Sequence, residues 1–337
     1  MNEQWLDEML SQPSDALVDD IAKIDGDIMI LGAGGKVGPA LAVMAKRAVN
    51  CARIDKRVVA VSRFTDSYAV ALLKNAGVET ISADLSDALQ IGALPKLENI
   101  IYMAGRKFGT GDNADATWVM NTGVPMMVVN HFGPANYVVF STGNVYPMAN
   151  VTSGGCTETD PVNPVGEYAM SSLGRERVFQ YAAKHMNAKA VMFRLNYAVD
   201  LRYGVLLDIA ERIEGGLPVN VTNPCFNCVW QGYVNEVAVR ALLHTQAPAS
   251  VLNVTGPETV SVRTVAKQLA AFLDKPVTFE GEESSTALLN NAGKCLSLFG
   301  YPSVTLNQMI EWQAAWIKSG YRTLGKPTHF EEKKGNF

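Results

Sequence analysis

Residues 31–38, LGAGGKVG, constrain this chain more than any other segment. A short apolar run, 27–31 (DIMIL), precedes them, and residues 37–48 are apolar at helical spacing. A glycine-rich turn between a buried strand and a helix is how a chain brings backbone N–H groups up to a pyrophosphate. The spacing G-x-x-G-x-x-G is met by Gly32, Gly35 and Gly38. Glycine there permits a tight turn, close approach of the backbone to phosphate and close packing of helix on strand. Lys36 and Val37 open the helix and join the same candidate cofactor site.

The rhythm that follows supports this reading. Further apolar runs occur at 57–61 (RVVAV), 79–81, 99–103 (NIIYM), 137–140 (YVVF) and 189–193 (KAVMF). Between them lie helical patterns at 66–76, 114–132 and 166–186. Strands alternating with helices predict βαβ units, hence an α/β Rossmann-type doubly wound parallel sheet. After Arg194 the loops lengthen and prolines recur, which predicts a smaller mixed α/β substrate lobe. The expected divisions are an N-terminal helical extension (1–26), a dinucleotide-binding domain (27–195), the lobe (196–320, returning in part to the main sheet) and a tail (321–337). The tail, charged at THFEEKKGNF, reads as loose unless a partner orders it. The stretch 306–317, with Trp312 and Trp316 four residues apart, reads as lobe packing.

Composition narrows the function. Lys plus Arg number 29 and Asp plus Glu 33, a net charge of −4, so there is no basic footprint for nucleic acid. No run is long and apolar enough for a membrane span, and the start MNEQWLDEML is not a signal peptide, so a cytoplasmic protein is expected. Five cysteines with a single C-x-x-C (Cys225, Cys228) and four scattered histidines predict neither a disulfide framework nor a metal site.

The second strand runs into VSRF, placing Ser62 and Arg63 where an acidic residue would bind the ribose 2′-OH of NAD. An arginine suits a 2′-phosphate, so the cofactor reads as NAD(P), with NADP favoured. Asp84 and Leu85, after the third strand, are placed to meet the adenine, although Asp84 equally suits a helix N-cap.

With these elements in place the chain resembles the extended short-chain dehydrogenase/reductase family of the NAD-dependent epimerase/dehydratase type, over about residues 27–320. The resemblance rests on Gly32, Gly35 and Gly38, on Ala104 and Gly105 in YMAG, on Ser141, Thr142, Val145 and Tyr146 in FSTGNVY, on Asn121 in VMNT, and on Tyr168 in GEYAMSS. It implies hydride transfer at a hydroxyl-bearing carbon, with Tyr168 as acid/base, Thr142 orienting the reacting oxygen and Asn121 supporting the site. It also implies a homodimer through the helices at 114–132 and 166–186.

The family places a lysine four residues after the tyrosine, where its charge lowers the phenol pKa. This chain has Ser172 there. Three readings remain open. Another cation substitutes, Arg175 or Lys107; other groups do the acid/base work; or the protein binds a dinucleotide without turnover, as a regulator or scaffold. The family's substrate-diphosphate arginine aligns with Val229, which points to a small sugar, polyol or sugar acid. Asn144, Asn196, Tyr197 and Trp230 are the candidates to line that pocket, each also readable as ordinary packing.

Overall fold

The structure is a computed structural model and describes residues 1–107, 109, 113–333 and 335. Two short helices open the chain, α1 (Glu3–Ser11) and α2 (Asp15–Ile21). Ser14 caps α2, accepting from the Leu17 N–H, so the N-terminal extension is split into two helices.

The βαβ series follows in order: β1 (Ile28–Leu31), α3 (Gly38–Ala52), β2 (Val58–Ser62), α4 (Ser67–Asn75), β3 (Glu79–Ser82), α5 (Ala88–Gly92) and β4 (Asn99–Tyr102). Next come α6 (Ala114–Trp118), one π-helical turn (Val119–Gly123), α7 (Val124–Phe132) and β5 (Asn136–Thr142). The chain continues through β6 (Ala149–Asn150), α8 (Gly166–His185) and β7 (Lys189–Leu195). The lobe adds β8 (Ala198–Val199), α9 (Val205–Glu214), β9 (Val219–Asn220), β10 (Cys225–Phe226), β11 (Val229–Trp230) and α10 (Gln231–Arg240). It closes with β12 (Ser250–Val254), β13 (Val260–Ser261), α11 (Val262–Leu273), β14 (Phe279–Glu280), β15 (Thr286–Ala287), α12 (Gly293–Phe299) and α13 (Leu306–Lys318).

The main sheet has the order β12-β7-β5-β4-β1-β2-β3, with every neighbour parallel. Its central strands β1 and β4 are wholly buried, as a sheet covered on both faces requires. The strand order reverses between β1 and β4. A crevice at the carboxyl ends of those two strands is where such a sheet binds ligands. The seventh strand, β12, comes from the lobe sequence and pairs with β7, so the chain does return to the main sheet.

The N-terminal extension is integral to the fold. Asn235 donates to the Leu10 carbonyl at 2.8 Å, and Ser14 donates to Glu236 at 2.7 Å. The tail departs from expectation. Instead of lying loose, residues up to 333 pack against the lobe, with Thr328 and Phe330 buried. Its charged residues hid one aromatic anchor, which composition alone does not reveal.

A buried ion pair fixes α8 against the sheet. Arg194 on β7 donates to both Glu176 oxygens at 2.9 and 2.7 Å, and Ser141 on β5 donates to the same carboxylate at 2.6 Å. Both charged side chains are almost fully buried. Removing one partner strands the other charge, so Glu176→Ala is expected to cost about 3–5 kcal/mol in urea unfolding. The double change Glu176→Leu with Arg194→Met is expected to cost less, because it leaves no orphaned charge.

Candidate active site

The glycine turn is tight enough to explain its glycines. Gly32 has φ +91°, and a Cβ there would lie 2.6 Å from the Ala104 nitrogen, in the turn after β4. A Cβ on Gly38 would lie 2.4 Å from the Ala33 carbonyl oxygen. At Gly34 it would strike the Ser62 hydroxyl at 2.4 Å. Gly35 is less crowded, its nearest neighbour the Gly32 oxygen at 3.6 Å. Pro39 sits in the first turn of α3, where its missing N–H costs nothing. The start of α3, whose N-cap Val37 makes no side-chain cap bond, and the bare backbone of the turn together form a cradle.

The second turn beneath the cleft is built differently. Gly105 is exposed, and a Cβ on it would lie 2.3 Å from Arg175 Nη2 and 2.9 Å from Asn121 Oδ1. Asn121 sits in the π-helical turn, a local widening often found at functional sites. Its oxygen accepts from the Arg106 N–H at 2.8 Å and from Arg175 at 2.7 Å. Its amide donates to the Arg106 carbonyl and to Ser171, both at 2.9 Å. Arg175 also donates to the Phe140 carbonyl at 2.7 Å. Asn121 and Arg175 together splint the turn after β4 to α8.

Ser172 is fully buried, and its hydroxyl has no partner among the described residues. Arg175 is therefore no simple replacement for the family lysine, because its guanidinium is held under Gly105. Lys107 is placed differently. Its Nζ lies 3.5 Å from the Tyr203 hydroxyl and 3.4 Å from the Thr328 carbonyl. Lys36 Nζ sits 4.2 Å from the centre of the same Tyr203 ring and donates to the Ala198 carbonyl at 2.9 Å. Burial pushes each of these lysines down to about 8. Tyr203 is pushed up, first by burial and then by the negative charge of Asp208.

These groups line one cleft of about 540 Å³, running from Gly34 and Gly35 past Lys36, Gly105, Lys107 and Tyr203 to Arg202, Arg322 and Lys326. Asp7 of α1 enters it too, bonded to Arg202 at 3.0 Å and to the Tyr68 hydroxyl. Tyr203, Asp7 and the tail cations were not legible in the sequence. They come from three separate segments, and no local spacing joins them.

Of the remaining expected residues, Arg63 is exposed at the end of β2, 3.8 Å from Asp84. Asp84 accepts from the Ser86 N–H and hydroxyl, while Asp87 is the N-cap of α5. Leu85 and Ala104 are buried beside the sheet edge. Val37 is the N-cap residue of α3. Thr142 ends β5, and its hydroxyl accepts from the Asn144 N–H at 3.2 Å. Tyr168 stands half-buried in the first turn of α8.

Asn144 and Tyr197 line a common small cavity. Tyr197 holds a φ of +44°, an uncommon conformation for a bulky residue. Asn196 is buried and reaches the Leu288 carbonyl at 3.4 Å. Trp230 does not join them. Its indole packs edge-on against Trp312, turned towards the Met9 carbonyl beneath the N-terminal helix. It lines a different cavity, with Met9, Pro13 and Tyr233.

A family model described as "NAD dependent epimerase/dehydratase family" matches residues 28–202, more than half of the 337-residue chain. The chain belongs to that family, a family of enzymes. No curated protein matches at a significant level. Among solved structures, Pal from Bacillus thuringiensis is similar at 18% identity, TM-score 0.71, over 87% of this chain and 99% of that one. UDP-glucuronic acid 4-epimerase from Bacillus cereus, solved with UDP-glucuronic acid and NAD, is similar at 17% identity, TM-score 0.71, over 88% of this chain and 100% of that one. UDP-glucose 4-epimerase from Thermotoga maritima is similar at 15% identity, TM-score 0.70, over 87% and 99% of the two chains. At these identities the likeness establishes the fold. Among the described residues, no helix is long and apolar enough to cross a membrane.

The lysine pair predicts a pH dependence. Each amine carries its charge below about pH 8 and loses it above. A dinucleotide is anionic, so its affinity should fall as the pH rises through that value. Losing one charged hydrogen bond costs about 1.5–3 kcal/mol, so calorimetric titration should show about ten- to a hundredfold weaker binding across the transition. Lys36→Met should flatten most of that slope.

Proposed function

We propose that this protein is an NAD(P)-dependent oxidoreductase or epimerase/dehydratase acting by hydride transfer on a small sugar, polyol or sugar acid. The observation that carries the reading is the cradle at Gly32, Gly34 and Gly38, where side chains would collide with the turns that a dinucleotide must approach. The residues proposed to hold the cofactor are Gly32, Gly35, Lys36, Val37 and Gly38 at the pyrophosphate, Ser62, Arg63, Asp84 and Leu85 at the adenosine, and Ala104, Gly105 and Tyr168 towards the nicotinamide. When bound, the nicotinamide supplies the hydride acceptor and donor.

The rest of the chemistry belongs to this chain. Tyr168 exchanges the substrate hydroxyl proton, and Thr142 holds the oxygen that bears it. Asn121 fixes the turn on which the cofactor rests. Lys107 supplies the positive charge that Ser172 does not, acting from the turn after β4 instead of from α8. Its contact with Tyr203 keeps that charge in the cleft. Asn144 and Tyr197 line the substrate side.

One feature supports a small substrate. Val229 is buried in a pair with Ala198 and offers no charge to a diphosphate. Arg63, exposed at the end of β2, favours NADP. A homodimer fits the exposed apolar side chains Trp118, Val119, Met126 and Met170 on α6–α8 and the turns between them. The cytoplasm fits as the place of action.

A screen of polyols, sugar acids and UDP-sugars with each nicotinamide cofactor, followed by nicotinamide absorbance and product chromatography, tests the reading. Tyr168→Phe should lower turnover about 10²–10⁴-fold. Lys107→Met should lower turnover with Tyr203 still present. Turnover unchanged in both variants rejects the assigned roles. Arg63→Ala should weaken NADP about tenfold and leave NAD unaffected, since one charge-assisted bond is lost.

A further inference from the structure

The protein's own tail reaches Lys107 at the cleft and lines the separate small cavity of Asn144 and Tyr197. Leu324 N–H donates to the Arg202 carbonyl at 2.9 Å. Thr328 gives its N–H to Asp208 at 2.8 Å, bonds the same carboxylate through its hydroxyl, and accepts from Lys107 at 3.4 Å. The Phe330 carbonyl accepts from Asn223 at 2.6 Å, and its ring stands edge-on to Phe226 with centroids 6.5 Å apart. Lys333 donates to the carbonyls of Thr222 and Thr286 and to Ser284. Beyond it, the Gly335 backbone abuts Val165 and Gly166, where α8 begins and carries Tyr168.

This leaves little room. The cavity lined by Asn144, Tyr146 and Tyr197 is closed by Glu332, Lys333 and Gly335 and measures about 50 Å³. One water needs roughly 10–15 Å³ on this measure, so the space holds a few waters and not a hexose-sized molecule. The segment that closes it forms no helix or strand, and Phe330 is its buried aromatic side chain.

We propose that residues 322–333 are a strap seated in the substrate half of the cleft, with Phe330 as its latch, and that substrate reaches Asn144 and Tyr197 only when the strap lifts. The proposal rests on the site assigned under Proposed function. A ligand whose competent state is a minor one binds more weakly by that state's fraction, and loosening the strap removes the handicap.

The test uses the full chain, Phe330→Ser and, as a milder change, Thr328→Val. D-glucuronate and UDP-glucuronic acid are titrated as probes with NAD present, and amide exchange is followed over 322–333. The expected result is a slow Thr328 amide in the free protein, faster exchange across the strap when a probe binds, and a probe affinity about five- to tenfold tighter in both variants. Strap amides that stay protected in the probe-saturated complex overturn the proposal. So do affinities that are unchanged or weaker in both variants, and so does a failure of both probes to bind once the latch is gone. NAD titrated alone separates the two readings. If neither the parent nor the variants bind it, the cofactor assignment fails, while strap exchange still reports on the latch. If NAD binds equally to all three, the fold is intact and the strap is judged on the probes.

Discussion

The close approach of two turns governs this structure. The backbone of Gly32 passes so near Ala104 that a single added carbon would collide with it. That approach is possible only because β1 and β4 are adjacent and parallel, and because the strand order reverses between them. The crevice at their carboxyl ends is a consequence. Gly38 against Ala33 then sets how closely α3 follows, and so where its N–H groups point. The cleft inherits its position from these backbone contacts, and the side chains around it decide its chemistry.

Electrostatics inside the cleft differ from the pattern expected of an extended short-chain dehydrogenase/reductase. The buried hydroxyl of Ser172 brings no charge to the phenol side. Positive charge enters instead from Lys36 on the glycine turn, Lys107 after β4, Arg202 in the lobe, and Arg322 and Lys326 in the tail. Burial weakens the hold of Lys36 and Lys107 on their protons. Arg175, which the sequence offered as a substitute, instead braces Asn121 and the Phe140 carbonyl beneath Gly105. A guanidinium there stiffens the floor of the site.

The sheet was readable because its signals are local. DIMIL, RVVAV, NIIYM, YVVF and KAVMF lie where strands β1, β2, β4, β5 and β7 formed, shifted by a residue or two at their ends. Gly32 and Gly38 were readable because the space they spare is a property of one turn. Ser172 was readable as a departure because one helical turn fixes its distance from Tyr168. For Trp230 the sequence left pocket lining and ordinary packing both open, because a two-residue strand sets its direction and no periodicity exists over two residues. Tyr203 escaped notice because its partners, Lys36 and Lys107, lie far from it in sequence.

By itself the sequence determined the parallel doubly wound sheet, the glycine cradle and the family, because strand burial, helix spacing and turn conformation are short-range constraints written in neighbouring residues. Tertiary structure alone decided which cations share the cleft, that Asp7 from the N-terminal helix reaches it, and that Phe330 of the tail is buried against Phe226. Those contacts join segments separated by tens to hundreds of residues. Their geometry is settled by how the lobe packs on the sheet, which no single stretch of sequence encodes.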